Sequence, residues 1–333
     1  MDIATFISTK RKLLVLVALL VVIALLATAP LYLRPKHIVI MTELIMWGVL
    51  AVSWVTFSGP TRLMSLATAA FFGVGQYASA LLYPGGGALL PLPAVIVIGG
   101  LASSCLALLI GALTLRLRGI YFAIFTFGIV EIGMRFFNWF ELEVMGTRGR
   151  PVLRLDNDTL YYITLAIVVA VMVTAYLIRR SRYGLAMQGI GEYEEAAAHM
   201  GVNVTRMKII TFGISAFFMG AIGAVWATRT GYVDPTTALN ANYTFLPVLM
   251  ALVGGMGQLY GPILGAVGFG YLKYALLTEA PGRFMLIFGI TLVTFVVFVP
   301  YGLGGLIQKA QNRLGGPISK LWKGGQAEQH ETT

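Results

Sequence analysis

Several polar side chains sit where the chain is otherwise apolar, and those are the residues that could do chemistry. Glu131 and Arg135 lie four residues apart inside one apolar run, a spacing that puts both on one helix face, within reach of an ion pair. Gln76, Asn138, Glu43 and Lys273 occupy or border other apolar runs. Polar and ionisable groups at membrane depth mark solute or ion pathways by default. Gln76, Glu131 and Asn138 are therefore the candidate lining of a translocation path, with Glu43 and Lys273 beside them. Each has a plainer reading. Arg135 can neutralise Glu131, the Lys273 stem can carry its ammonium to a surface, and Gln76 can bond a neighbouring helix.

No catalytic constellation accompanies these groups. A phosphate-cradling G-x-x-x-x-G-K-[ST] loop is absent, and Gly254–Gly257 lacks the lysine, so ATP hydrolysis by that route is excluded. There is no H-E-x-x-H or G-x-S-x-G, hence no visible zinc site or activated serine. His37, His199 and His330 have no metal-ligand spacing. The lone Cys105 allows no intrachain disulfide. The sequence thus implies no cofactor, no metal and no enzyme.

A second kind of site is a polar interval, Ser181–Lys208 (SRYGLAMQGIGEYEEAAAHMGVNVTRMK), set between apolar runs. It carries Glu192, Glu194 and Glu195, with Arg179, Arg180 and Arg182 at its start and Arg206 and Lys208 at its end. Such Lys/Arg-rich loops stay cytoplasmic. Tyr193–Met200 holds three strong helix formers, Ala196, Ala197 and Ala198. Gly201 stops the run, and Asn203 can cap the next helix. The expected object is a short surface helix whose alanine face fits a partner's groove. Its plainer reading is a basic loop that only anchors helix ends to anionic lipid.

The elements that must position these residues are membrane helices. The chain has 333 residues, of which 58% are apolar and 11% charged, whereas soluble domains carry roughly 25% charge. Apolar runs recur from Leu13–Leu33 to Arg283–Val299. We expect an all-α polytopic membrane protein with about ten membrane segments, in a range of about eight to eleven, and both termini cytoplasmic. Leu63–Tyr83, rich in small and polar residues, and Ala241–Val253, short for a span, are where re-entry is expected. Residues 1–304 form the membrane domain and 305–333 a cytoplasmic tail. The net charge of +10 sits at the ends of apolar runs, as helix-flanking basic residues do, so nucleic acid is dismissed.

Glu195-Ala196-Ala197-x-x-x-Gly201 resembles the EAA loop of ABC-importer permeases, which docks on the ATPase. The wider wording Arg182–Ala227, with Ser65–Leu82, Leu115–Asn138 and Val253–Ala266, resembles the membrane subunit of branched-chain amino acid and urea type importers. The likeness spans roughly Gly48 to Gly304. It departs from the general motif in lacking the Ile-x-Leu-Pro tail after Gly201, and an extra glutamate leaves Glu194 and Glu195 both open for the acidic position. The resemblance implies a bacterial inner-membrane permease for small amino-acid-like solutes, working by alternating access. It implies a second homologous permease subunit, two P-loop ATPase subunits and an extracytoplasmic solute-binding protein. The ATPase-coupling residues would be Glu192, Glu194, Glu195, Ala196, Ala197, Met200 and Gly201. The rival is a stand-alone ion-coupled secondary transporter, for which Glu131 is the one acid placed to serve.

Overall fold

The computed structural model describes residues 21–22, 24–117, 119–279 and 289–290. The predicted tail, part of the first predicted run and most of the last lie outside them. The described chain is mostly helical. Its long helices are α1 (Pro35–Thr61), α2 (Thr68–Leu82), α3 (Leu92–Thr114), α4 (Ile120–Trp139), α5 (Asn157–Arg180), α8 (Val204–Thr230), α10 (Asn242–Gly254) and α11 (Gly261–Glu279), with short α6 (Arg182–Glu192), α7 (Glu194–His199) and α9 (Pro235–Ala238) between them. Among the described residues six segments are long and apolar enough to cross a bilayer: α1, α3, α4 with the turn after it, α5, α8, and α9 with α10. The chain is therefore multi-pass.

α1 and α8 form the centre, because both are mostly buried while α3, α4 and α5 expose much of their apolar surface. Lipid tails give apolar side chains nothing to hide from, so small residues that let backbones touch decide which helices meet. The glycines of α8 show this. A methyl at Gly75 would overlap the Gly220 carbonyl, and one at Gly223 would overlap the Phe72 carbonyl, so α2 lies directly on α8. Gly220 also abuts Gly99 and Ser103 of α3. Ser103 Oγ donates to the Phe71 carbonyl at 2.8 Å, and Ser79 Oγ to Ala224 at 2.7 Å. Gly220 and Gly223 thus bring α8 into backbone contact with α2 and α3.

The helical path is interrupted at two places within the bundle. α2 begins only at Thr68, because Arg62 turns left-handed (φ 56°) and residues 62–67 follow without helix. Backbone outside helices survives at this depth only with internal partners. Trp54 Nε1 donates to the Ser65 carbonyl at 2.7 Å, and Leu66 N–H donates to Thr126 Oγ1 at 3.0 Å. The second break is the Gly255–Tyr260 turn between α10 and α11, where the Gly254 and Gly261 backbones touch.

At one end of the bundle lie α6 and α7. At the other, Arg150–Pro151 (β1) pairs antiparallel with Tyr232–Val233 (β2). Here α4 runs into one π-helical turn, Phe140–Val144. The polar segment Glu141–Asn157 thus starts as helix, and Glu141 points inward, buried to 2% exposure. Its carboxylate accepts from Tyr77 OH at 2.9 Å and Gly149 N–H at 2.8 Å.

Candidate functional site

The polar interval folds into a compact turn. α5 ends at Ser181, whose hydroxyl accepts from Gly184 N–H at 3.3 Å and starts α6. α6 lies close against its neighbours through two glycines: a methyl at Gly184 would overlap the Ile178 carbonyl, and one at Gly191 the Pro60 carbonyl of α1. Tyr193 is extended (φ −151°, ψ 98°) and separates α6 from α7. The expected single helix over Tyr193–Met200 is therefore one short helix preceded by a kink, with Glu192 on α6. Gly201 adopts φ +84°, where a side chain is strained, and Asn203 Oδ1 accepts from Arg206 N–H at 3.1 Å to start α8.

α7 has a locked face and an open face. Glu194 accepts from Lys208 Nζ at 2.7 Å, and the Lys208 side chain is only 3% exposed. This bond ties the first turn of α7 to α8. Ala197 is buried with Met187, Ile190, Val202, Val204 and Met207. That corrects the expectation that Ala197 sits on the docking face: its methyl fills the corner between α6, α7 and α8. The open face carries Tyr193 (67% exposed), Met200 (76% exposed), Glu195, Ala196, His199 and Gly201. Of the two glutamates left open by sequence, Glu194 is held by Lys208 and Glu195 stands on the exposed side.

The turn touches the bundle at a small cavity of about 140 Å³, lined in part by Gly59, Pro60, Arg179, Gln188 and Met256. Arg179 donates to the Met256 and Gly257 carbonyls at 3.0 and 3.2 Å. The start of the α6–α7 turn, the end of α1 and the Gly255–Tyr260 break thus meet at one place.

The candidate path residues are placed apart. Gln76 is buried on α2, while Glu131 and Asn138 are half-buried on α4. Among the described residues no hydrogen bond or ion pair links any two of them, and Glu131 does not meet Arg135. Sharing a helix face did not make that pair. Glu43 and Lys273 do meet, with Lys273 Nζ 3.4 Å and Arg229 Nη2 3.5 Å from the Glu43 carboxylate. Sequence reasoning missed Arg229 and Glu141. Their partners come from helices far along the chain, and no local spacing points to them.

The chain was compared with known proteins. A family model described as branched-chain amino acid transport system, permease component, matches residues 38–296. The high-affinity branched-chain amino acid transport system permease protein LivM of Salmonella typhimurium is 29% identical over 332 residues, covering 89% of this chain and 76% of that protein. LivM of Escherichia coli matches to the same extent. The fructose import permease protein FrcC of Rhizobium meliloti is 30% identical over 149 residues, 43% of this chain and 41% of its own length. No solved structure matches.

Proposed function

The chain belongs to the branched-chain amino acid transport permease family, and from that premise we propose how this permease subunit is coupled and what it carries. It is an ABC-importer permease, a transport component rather than an enzyme, and a multi-pass protein of the bacterial inner membrane. Family membership sets aside the stand-alone secondary transporter. In our reading the subunit pairs with a second, homologous permease. Two P-loop ATPases sit below it and a solute-binding protein outside. The end holding α6 and α7 is cytoplasmic, as are both termini, and about ten membrane segments cross or enter the bilayer.

One observation carries the coupling proposal: α7 is fixed on one side and bare on the other. The Glu194–Lys208 bond and the buried Ala197 hold it to α6 and α8. Tyr193, Ala196 and Met200 stand exposed at the bundle's end. An exposed aromatic and a long thioether on a rigid turn are what an interface core uses. Closure of the ATPases would push this turn, and the push would enter α8 through Lys208 and α1 through the Gly191–Pro60 contact. Alternating access follows as the helices rock. Glu192, Glu195 and Gly201 complete the coupling set. Gln76, Glu131 and Asn138 remain our candidates for the path. The relatives' names support a small amino-acid-like solute.

The test is co-purification. Ala196→Asp with Met200→Asp places two acids on the open face and touches no buried group. We expect normal insertion and loss of bound ATPases. Undiminished ATPases on this double variant would overturn the docking assignment.

A further inference from the structure

The end of the bundle opposite α7 holds a second cavity, of about 180 Å³, lined by Trp47, Thr237, Asn240, Asn242, Tyr243 and Lys273. It is larger than the roughly 150 Å³ that admits one aromatic ring. Its lining is rich in donors and contains no carboxylate. Lys273 offers an ammonium, and Asn240 and Asn242 offer side-chain amides. The Asn240 oxygen is already used, accepting from Asn242 N–H at 2.9 Å. Asn242 opens α10, so the positive end of that helix also faces this region.

Two further observations point to a ligand site. Trp47 is 2% exposed, yet its indole N–H is buried with no hydrogen-bond partner among the described residues. Buried donors of this kind are rare and need an explanation. The charge behind the wall is also unbalanced. Glu43 is shared by two cations, Lys273 at 3.4 Å and Arg229 at 3.5 Å, both long for charge-assisted bonds. Among the described residues Arg229 Nη1 is itself buried with no hydrogen-bond partner, while its guanidinium lies 4.2 Å over the Trp226 ring. Among the described residues one acid stands against two bases, and Lys273 presents the excess positive charge to the cavity. The apolar side is aromatic: Trp47 and Tyr243 stack with centroids 5.5 Å apart, and Lys273 Nζ lies 4.7 Å over the Trp47 ring.

We propose that this chamber is a binding site for the carboxylate of a small solute, with the Trp47–Tyr243 pair receiving its apolar part. The carboxylate sits against Lys273, the Trp47 indole N–H and the amides of Asn240 and Asn242, with the ring faces left to the apolar part. Glu43 and Arg229 are positioning residues that set the height and charge of Lys273. Glu43 and Pro60 are both on α1, so the chamber stands about 25 Å of helix from the Gly191–Pro60 contact of the docking turn. It is placed to receive solute at the face away from the ATPases, a meaning that rests on the permease reading above.

The experiment uses the full chain, purified with whatever accompanies it, and equilibrium binding of four probes: L-leucine, 4-methylpentanoate, 4-methylpentanamide and isopentylamine. The two carboxylates should bind, and the neutral amide and the amine should not. Lys273→Gln should weaken carboxylate binding about ten-fold or more, and Lys273→Arg should restore most of it. Glu43→Gln frees both cations and should tighten 4-methylpentanoate; a purely structural triad would instead lose stability with no gain in binding. Equal binding of acid and amide, or indifference to Lys273→Gln in a protein that stays folded, overturns the site. The same samples are probed for ATPases. Carboxylate binding without ATPases sinks the importer reading alone. ATPases without carboxylate binding sink this site alone.

Discussion

Lys208 carries the clearest consequence at the scale of single residues. A lysine buried to 3% exposure is tolerated because Glu194 neutralises it at 2.7 Å. Removing the acid leaves the cation stranded. Glu194→Ala should therefore cost about 1–3 kcal/mol, while Glu192→Ala, at an exposed position, should stay within about 0.5 kcal/mol. Thermal unfolding in detergent reads both, and equal effects would remove Glu194 from the locked face. This distinction was invisible in the sequence, where the three glutamates look alike. What singles out Glu194 is a lysine fourteen positions on that folds back beside it. The same holds for Glu43, whose partners Arg229 and Lys273 lie on α8 and α11. Glu131 and Arg135 are the converse, since correct spacing on one face did not bring their side chains together.

Among the elements, helix contacts follow small residues more than hydrophobicity. Gly220 is pressed between α2 and α3, and a larger side chain must displace Ser103 and the Gly99 carbonyl. Gly220→Val should cost about 2–3 kcal/mol or prevent assembly, and the yield of monodisperse protein measures it. A variant with wild-type yield would contradict the contact. At the far end, Asp234 caps α9. Burial alone would raise its carboxyl, but hydrogen bonds from Thr236 and Thr237 outweigh it and hold the group below its ordinary value. A depressed carboxylate stabilises above its unfolded value, near 3.8, and the contribution is lost as pH falls through the folded one. Unfolding temperatures measured from neutral pH downward should fall more steeply below pH of about 4 for wild type than for Asp234→Asn. Existence and order of the long helices were legible from apolar runs. Their breaks were not fully so: Leu63–Tyr83 reads as one run, yet its first residues are unwound because Trp54 and Thr126 supply partners from other helices.

For the whole molecule, the sequence carried the polytopic architecture and the polar turn between helices, because both rest on local composition: long uncharged runs, a polar interruption and a stopping glycine. It could not show which face of that interval is open. Ala197 belongs to the same alanine run as Ala196, and only the return of α8 past Met207 buries it. The far chamber was likewise illegible, since its wall combines α1, the α9–α10 region and α11. The α6–α7 turn, proposed as the docking element, and the donor-rich chamber thus lie at opposite ends of shared helices. That arrangement fits a subunit that takes force at one face and solute at the other.

The most direct measurement is site-specific cross-linking of the docking turn in native membranes. Cys105 is the only cysteine, so Cys105→Ser gives a clean background. In it, Met200→Cys and Ala197→Cys are compared after treatment with a short bifunctional reagent. The account predicts a covalent adduct between the Met200→Cys chain and a P-loop ATPase subunit, and none from the buried Ala197→Cys position. No adduct at Met200→Cys in membranes that contain the assembled importer, or equal adducts from both positions, would contradict it.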